Sequence, residues 1–392
     1  MKKTIKKRLS NLKNLAGRAL LRIFHLAPVR LNSVVAFSYN GSQFGCNPRS
    51  IYLTAVKTNP ELQWIWIFKK PERFAWLKEA DTQIAQWGSI PSFWHVARSE
   101  ALVMNSNPPS WFVARKNQVV VHTSHGGGAY KKLMFDNPMR SESAKRRLLT
   151  RSSQITHFIS PCEDYSTQVV RGAFRSKAEA WPIGSPRLDF LFHEDARHDQ
   201  ERKHIRESLE LPADEKLFVY APTYRKTGCG SYSSFPTRAV RNALEERFGG
   251  QWTMLYRGHR WLTGLGLQAA SFDKNISGYS DYESLIGGID FFVTDYSSLV
   301  WDYAVSETDG LLFAPDLVEY QKCQGTYTEI SKWPYKLTLD SEELVSSILS
   351  YDLDGELNRR RQHLLNLGSF ENGSASLSAV QLLSTTIENH RA

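Results

Sequence analysis

Two histidines, several arginines and a pair of adjacent serines stand where strand-like patterns give out, and together they describe phosphate chemistry. His125 follows the run Asn117–Thr123 and opens the turn S-H-G-G-G-A-Y-K-K. His259 lies in R-G-H-R, between Arg257 and Arg260, directly after Trp252–Tyr256. Arg225 closes A-P-T-Y-R after Lys216–Tyr220, and Asp295, Ser297 and Ser298 follow the apolar run Ile289–Val293. Serine or aspartate after a buried strand is a helix N-cap signal, and the helix would carry Leu299, Val300 and Tyr303. Guanidinium groups, hydroxyls and a positive helix end bind a diphosphate well. A histidine of ordinary pKa near ~6.5 can accept a proton at neutral pH. The chemistry implied is attack by a hydroxyl on a phosphate or phosphorylated carbon, with a nucleotide leaving.

Such residues need strand ends to hold them, and the chain supplies these in alternation with helices. Strand patterns are expected at Ser33–Ser38, Leu62–Phe68, Phe93–Val96, Asn117–Thr123, Ile155–Ser160 and Ala180–Ile183. Helical patterns are expected near Arg73–Glu79, Ser99–Met104 and from Glu163. After the turn Gly184–Asp189 the alternation resumes, with the helix Glu201–Leu209 and strands at Lys216–Tyr220, Trp252–Tyr256, Asn275–Ser277 and Gly310–Ala314. Strands alternating with helices imply right-handed crossovers and parallel sheets. Ligands bind such sheets at the carboxyl ends of the strands. A chain of 392 residues exceeds the ~250–300 at which single cores stop growing. The expectation is an α/β fold of two parallel-sheet domains facing a cleft. The division is residues 1–28 as a basic helix, 29–188 and 189–370 as the domains, and 371–392 as a C-terminal helix or tail. The tryptophans of the first half (Trp64, Trp66, Trp76, Trp87 and Trp94) read as core.

Apolar content of 41% and aromatic content of 12% describe a globular chain. The formal net charge of +9 suits a phosphorylated substrate, an anionic membrane or a nucleic acid. No helix-turn-helix or single-strand-binding signature accompanies it, so nucleic acid is not an expected partner. Cys46, Cys162, Cys229 and Cys323 are far apart, which speaks against a disulfide framework or zinc site. At the N-terminus Ile5, Leu9, Leu12, Ala16, Ala19 and Ile23 recur at helical spacing among Lys2, Lys3, Lys6, Lys7, Arg8, Lys13, Arg18 and Arg22. The first acidic residue is Glu61. A basic helix with an apolar stripe lies in the headgroup layer of an anionic membrane. Arg18, Arg22 and His25 interrupt any signal-peptide core, and no run reaches the ~18 apolar residues of a span. Walker A and G-x-G-x-x-G sequences are absent, disfavouring a P-loop ATPase and a dinucleotide oxidoreductase. H-G-G-G can form an esterase oxyanion hole, but no G-x-S-x-G elbow accompanies it. The single D-x-D, Asp352–Asp354, falls between helices, and neither a metal nor a cofactor is expected.

In order, H-G-G-G-A-Y-K-K-L, G-S-P-R-L-D, Y-A-P-T-Y-R, Y-R-G-H-R and V-T-D-Y-S-S-L-V-W-D-Y resemble the motifs of the CDP-glycerol glycerophosphotransferase family of teichoic acid synthesis. Asn47–Tyr52 and Leu317–Gly325 are similar to family segments as well. The resemblance implies a GT-B-like pair of Rossmann-type domains and metal-independent transfer of glycerol phosphate from CDP-glycerol, releasing CMP. It implies that His125 is the general base for the acceptor hydroxyl and that His259 helps to hold the donor diphosphate. Ser297 and Ser298 match hydroxyls at the phosphate-binding helix start, and Asp295 shapes that turn. Arg187, Arg225 and Arg257 are implied as further substrate-binding charges. A polyprenyl-diphosphate-linked acceptor at the cytoplasmic face of a bacterial membrane is implied too, giving the basic helix a purpose as a peripheral anchor. One departure stands out: Gly127 and Gly128 replace the usual Thr-Pro, and Tyr130 reads as a one-residue insertion. Acceptor identity and loop rigidity stay open at that point, as do single transfer and polymerisation. A CDP-ribitol-type transferase, a GT-B glycosyltransferase using a nucleotide sugar, and a non-catalytic basic membrane binder are the alternatives.

Overall fold

The structure, a computed structural model, describes residues 2–193, 196–225, 234–258 and 269–391. Among these residues the first sheet has seven strands: β1 (Arg30–Phe37), β2 (Gln63–Phe68), β3 (Gln83–Gln86), β4 (Ser99–Met104), β5 (Val119–His122), β6 (His157–Ser160) and β7 (Glu179–Pro182). The second has six: β8 (Lys216–Ala221), β9 (Trp252–Tyr256), β10 (Lys274–Asn275), β11 (Phe291–Thr294), β12 (Asp309–Phe313) and β13 (Leu337–Thr338). Their orders are β3-β2-β1-β4-β5-β6-β7 and β10-β9-β8-β11-β12-β13, and all these pairs are parallel. In each sheet the winding reverses once, between β1 and β4 and between β8 and β11. Those two reversals are the switch points where an open α/β sheet leaves a crevice at its strand ends. The expected pair of Rossmann-type domains is present.

Central parallel strands are covered on both faces, so they read as unbroken apolar runs. Val34–Phe37 and β5 are buried throughout. This rule corrects two expectations. Phe93–Val96 is not a strand; it lies inside the helix Ile90–Arg98, whose start is fixed by Ser89, accepting the Ser92 N–H at 3.3 Å, and by Pro91 in the first turn. Ser99–Met104 (S-E-A-L-V-M) is not helical; it is β4, six consecutive buried residues between β1 and β5. Good helix formers there yield to the hydrogen bonds and burial of a central strand. Trp64 and Trp66 are core residues, whereas Trp76 is 50% exposed and Trp94 lies at the surface.

The segment Pro186–Phe192 carries the chain into the second lobe, and the helix Ala375–Arg391 brings it back. Ala379, Val380, Leu383 and Ile387 pack with Val34, Ala36, Trp64 and Trp66 in one apolar cluster. The C-terminal helix therefore packs on the first lobe. Asp189 anchors the return by accepting the N–H groups of Ala375 and Ser376 at 3.0 and 2.6 Å.

A strap joins the lobes beside the glycine turn. Lys131 and Thr326 form an antiparallel bridge. The Tyr327 N–H donates to the Tyr130 carbonyl at 3.0 Å, and the Lys132 N–H to that of Gly325 at 3.1 Å. Gln324 Nε2 donates to the Lys132 carbonyl at 2.6 Å, and the Tyr327 hydroxyl to Asp136 at 2.9 Å. The loop in which sequence left rigidity open is thus tied down along its length. Gly127 lies against the helix Leu299–Val305 so closely that a Cβ there would stand 1.8 Å from the Trp301 ring. Trp301 is fully buried, and its Nε1–H donates to Glu371 at 2.9 Å, so the ring has nowhere to retreat. Overpacking of this kind costs about 1–3 kcal/mol or more. Gly127→Ala is expected to lower the thermal midpoint and turnover together. Gly126→Ala, whose Cβ would lie 3.4 Å from Ser298, is expected to leave the midpoint near wild type. Equal melting of the two variants would contradict the contact.

Candidate active site

Ser124, at a φ of +57°, turns the chain out of β5 and places His125 over the first switch point. His125 Nδ1 lies 2.8 Å from the carbonyl oxygen of Asn105, the residue after β4. A carbonyl can only accept, so Nδ1 carries the proton and Nε2 holds the ring lone pair, the tautomer of a general base. The side chain of Asn105 accepts the Tyr39 N–H at 2.7 Å. The Tyr39 ring in turn stands 5.6 Å from the His125 ring. Strands β1, β4 and β5 thereby fix one imidazole. His122, at the end of β5, is driven down to a pKa of about 3 by burial and by the neighbouring His125, so it is neutral.

On the second lobe, Asp295 at the end of β11 accepts the Thr223 N–H at 2.8 Å and the Tyr296 N–H at 2.5 Å. Arg225 is the buried centre of this turn. It pairs with Asp295 at 2.8 Å and with Asp316 at 2.6 Å, and donates to the Thr223 carbonyl at 2.7 Å. Its guanidinium also faces the rings of Tyr296 and Tyr320 at 4.7 and 5.2 Å. Burial works against its charge, but the two carboxylates outweigh that and raise its pKa. The geometry makes Arg225 a residue that holds the turn. Ser297 Oγ accepts the Leu299 N–H at 3.2 Å, opening the helix Leu299–Val305. The Ser298 side chain makes no capping bond and lines a cavity of about 170 Å³ together with His125, Gly126, Lys131 and Tyr165. One histidine from the first lobe and the serine start of a second-lobe helix therefore share a crevice.

A second, larger cavity has a volume of about 390 Å³. Arg49 and Arg73 of the first lobe, Arg257 at the end of β9, and Arg187 of the connecting segment line it, with Tyr279 and Ser280 opposite. Tyr39 lines this cavity, and its ring faces that of His125, which lines the smaller one. Arg187 is buried and bonds Asp302 at 2.6 Å, while its N–H donates to Asn47 at 3.0 Å. It ties the connecting segment to both lobes as well as contributing positive charge. His259 and Arg260 lie outside the described residues. Among those described, no cluster of histidine, cysteine, aspartate or glutamate is arranged to hold a metal ion.

Sequence reasoning passed over Asn105, Tyr39, Asp316 and Lys131. Asn105 became visible only with β4 recognised as a strand, since its value lies in standing at a strand end. Lys131 stands in the sequence as one of a motif's two lysines, and the fold makes it a cavity residue. Burial brings its pKa down to about 8, with Asp295 opposing that shift and Arg225 adding to it.

Comparison with known proteins agrees with this geometry. The sequence model described as CDP-glycerol:poly(glycerophosphate) glycerophosphotransferase matches residues 19–384. A teichoic acid poly(glycerol phosphate) polymerase of Bacillus spizizenii is 29% identical over 344 residues, covering 84% of this chain and 86% of that protein. Its namesake in Bacillus subtilis is 28% identical, and there the match covers 84% of this chain but 45% of the relative. A solved structure of the wall teichoic acid polymerase TagF superposes with a TM-score of 0.79 at 23% identity, over 99% of this chain and 98% of that one. That likeness establishes the fold, and the match over residues 19–384 establishes the lineage: this chain belongs to the CDP-glycerol:poly(glycerophosphate) glycerophosphotransferase family.

Proposed function

We propose that the protein transfers glycerol phosphate from CDP-glycerol to a hydroxyl of a lipid-linked glycan or polyol-phosphate acceptor, releasing CMP, in the synthesis of a teichoic-acid-like polymer. The observation that carries the reading is the crevice shared by His125 and Ser298. His125 Nε2 takes the proton of the attacking hydroxyl, and the helix start at Ser297–Ser298 receives the phosphate. The arginine-lined cavity beside them suits the charged nucleotide half of the donor, with Arg187 and Arg257 among its walls. His259 is assigned to the same diphosphate by its place after Arg257 in the sequence. The relatives named as glycerol phosphate polymerases favour CDP-glycerol over CDP-ribitol or a nucleotide sugar.

The acceptor reading is joined to a membrane one. The helix Lys2–Phe24 docks on the first lobe through one face only. Leu21 is buried, the Phe24 ring meets Trp94 edge-on at 5.2 Å, and Arg18 donates to the Ser110 carbonyl at 2.8 Å. The opposite face leaves Leu9, Leu12, Leu15 and Ile23 exposed, with Leu26 just beyond, all between 53 and 88%. These apolar residues stand beside Lys13 and Arg22, and the preceding turns add Lys2, Lys3, Lys6, Lys7 and Arg8. No helix among the described residues is long and apolar enough to cross a membrane. A peripheral seat on the anionic cytoplasmic face of a bacterial membrane follows, where each basic residue near the surface contributes about 1 kcal/mol.

Incubation with CDP-glycerol and a lipid-linked acceptor is expected to release CMP, and UDP-sugars are expected to be inert. His125→Ala should retain the fold and lose turnover by about 10²–10⁴-fold, the range for removal of a general base. Turnover of UDP-sugars alone, or full activity in His125→Ala, would refute the assignment. On the membrane side, sedimentation with phosphatidylglycerol vesicles is expected for the full chain. Leu9→Glu with Leu12→Glu should abolish it without changing CMP release from a soluble acceptor.

A further inference from the structure

We propose that Lys131 is a catalytic residue of this transfer, its ammonium contacting the non-bridging oxygens of the phosphoryl group in the cavity formed by His125 and Ser298. The proposal rests on the reading of that cavity as the phosphoryl-transfer site.

Position is the first argument. The backbone of Lys131 is paired with Thr326, and both neighbours are hydrogen-bonded across the lobes, Tyr130 to Tyr327 and Lys132 to Gly325. The residue belongs to the loop of His125 in the first lobe but is held by the second, so it spans the gap in which the reaction takes place. Its side chain lines the same cavity as His125 and Ser298.

Charge is the second argument. The nearby buried arginines are committed to carboxylates, Arg225 to Asp295 and Asp316 and Arg187 to Asp302. Among the described residues the Lys131 ammonium has neither a hydrogen bond nor an ion pair. Lys131 is partly buried, so its ammonium keeps some contact with solvent but has no counter-ion. An anion bound in the cavity would supply one, and this cavity is lined with groups that suit a phosphate. The groups around Lys131 are Asp295 and Arg225 beneath it, and His122, His125, Tyr130 and Tyr165 on the cavity walls. Asp295, the carboxylate among them, is already spent on Arg225 and the Thr223 N–H.

In the step itself the acceptor oxygen bonds to the phosphorus that bears glycerol. The bond from that phosphorus to the oxygen of CMP breaks, and CMP leaves with the electron pair. The hydroxyl proton passes to His125 Nε2. Lys131 keeps its three protons and balances the charge that gathers on the phosphoryl oxygens, so it acts only while cationic. Its pKa of about 8 is lowered by burial, so the charge is complete well below pH 8 and is lost as pH rises through that value.

The test compares wild type, Lys131→Ala and Lys131→Arg for CMP release from CDP-glycerol, for pH profile and for thermal midpoint. Lys131→Ala is expected to melt as wild type and to lose about 10²–10³-fold in kcat, the cost of removing one electrostatic donor. Lys131→Arg is expected to regain part of that loss and to move the alkaline fall in rate upward, because guanidinium stays charged. A purely structural role would not move that limb. Lys131→Met, which keeps the aliphatic stem, replaces the alanine variant should the latter melt early. A folded variant within about threefold of wild-type kcat, with the alkaline limb unchanged, overturns the proposal. Should wild type release no CMP, the donor reading fails, and calorimetric titration with inorganic pyrophosphate decides the matter. Affinity reduced about tenfold or more in Lys131→Ala supports the anion contact, and equal affinity removes Lys131 from the site.

Discussion

The chemistry of this molecule depends on how closely the backbone at Gly126–Gly128 approaches the helix Leu299–Val305. The imidazole proposed to take a proton and the helix start proposed to receive a phosphate grow from different sheets. They share one cavity only because the turn after His125 carries no side chain where Trp301 and Ser298 stand. The Thr-Pro that the family resemblance leads one to expect would bring bulk to this approach. Here two glycines let the turn settle against Trp301, and Tyr130 takes up the neighbouring space. Its ring centre is 4.6 Å from that of Trp333, and its hydroxyl is 3.0 Å from His363 Nε2. Burial lowers the pKa of His363 to about 4, so this contact is a hydrogen bond between neutral groups that does not change with pH near neutrality. The altered loop is therefore a repacked one, with its freedom removed by the strap to residues 324–327.

Electrostatics divides the positive charges into two kinds. Arg225 and Arg187 are buried against Asp295, Asp316 and Asp302, and such pairs add little net stability by themselves. What they provide is direction. Arg225 fixes the carboxylate that shapes the turn before Ser297, and Arg187 holds the connecting segment against the helix that begins there. Removing either partner would leave a buried charge, so both positions are intolerant of change. Arg187 also lines the larger cavity, with Arg49, Arg73 and Arg257, and Lys131 lines the smaller. A net charge of +9 is a blunt description of this arrangement, since charges paired in the interior and charges that line a cavity count alike in it.

The sheets were legible wherever a strand was short, apolar and closed by a polar turn. β5, β8, β9 and β11 satisfy that rule, and their carboxyl ends carry His125, Arg225, Arg257 and Ser298. The stretch 90–104 defeated it, because a capped helix with an aromatic cluster and a central strand built of helix formers exchange their local signals. Only burial between β1 and β5 settles which is which. That exchange also hid Asn105, the residue whose carbonyl holds the His125 ring. Arg225 shows the complementary limit: an arginine at a strand end looks the same in sequence whether it faces a ligand or two aspartates. The pairing of Asp316 with Arg225 spans 91 positions, and no local pattern announces it.

The two cavities differ in a way that bears on what enters each. The larger is walled by four arginines and by polar side chains of both lobes, a place for the charged, hydrogen-bonding half of a nucleotide. The smaller adds Leu133, Met134, Phe174 and Tyr165 to its polar residues, so it offers apolar and aromatic surface beside the base. Tyr165 is braced there by a hydrogen bond to Ser124, and burial raises its pKa to about 12, so it remains a neutral donor or acceptor throughout the working range. Gly128 and Tyr130, which line the smaller cavity, belong to the stretch in which the loop departs from the family pattern. Under the proposed function that is where this chain has most scope to differ from its relatives, while the residues at the end of β11 are constrained by the buried ion pairs beneath them.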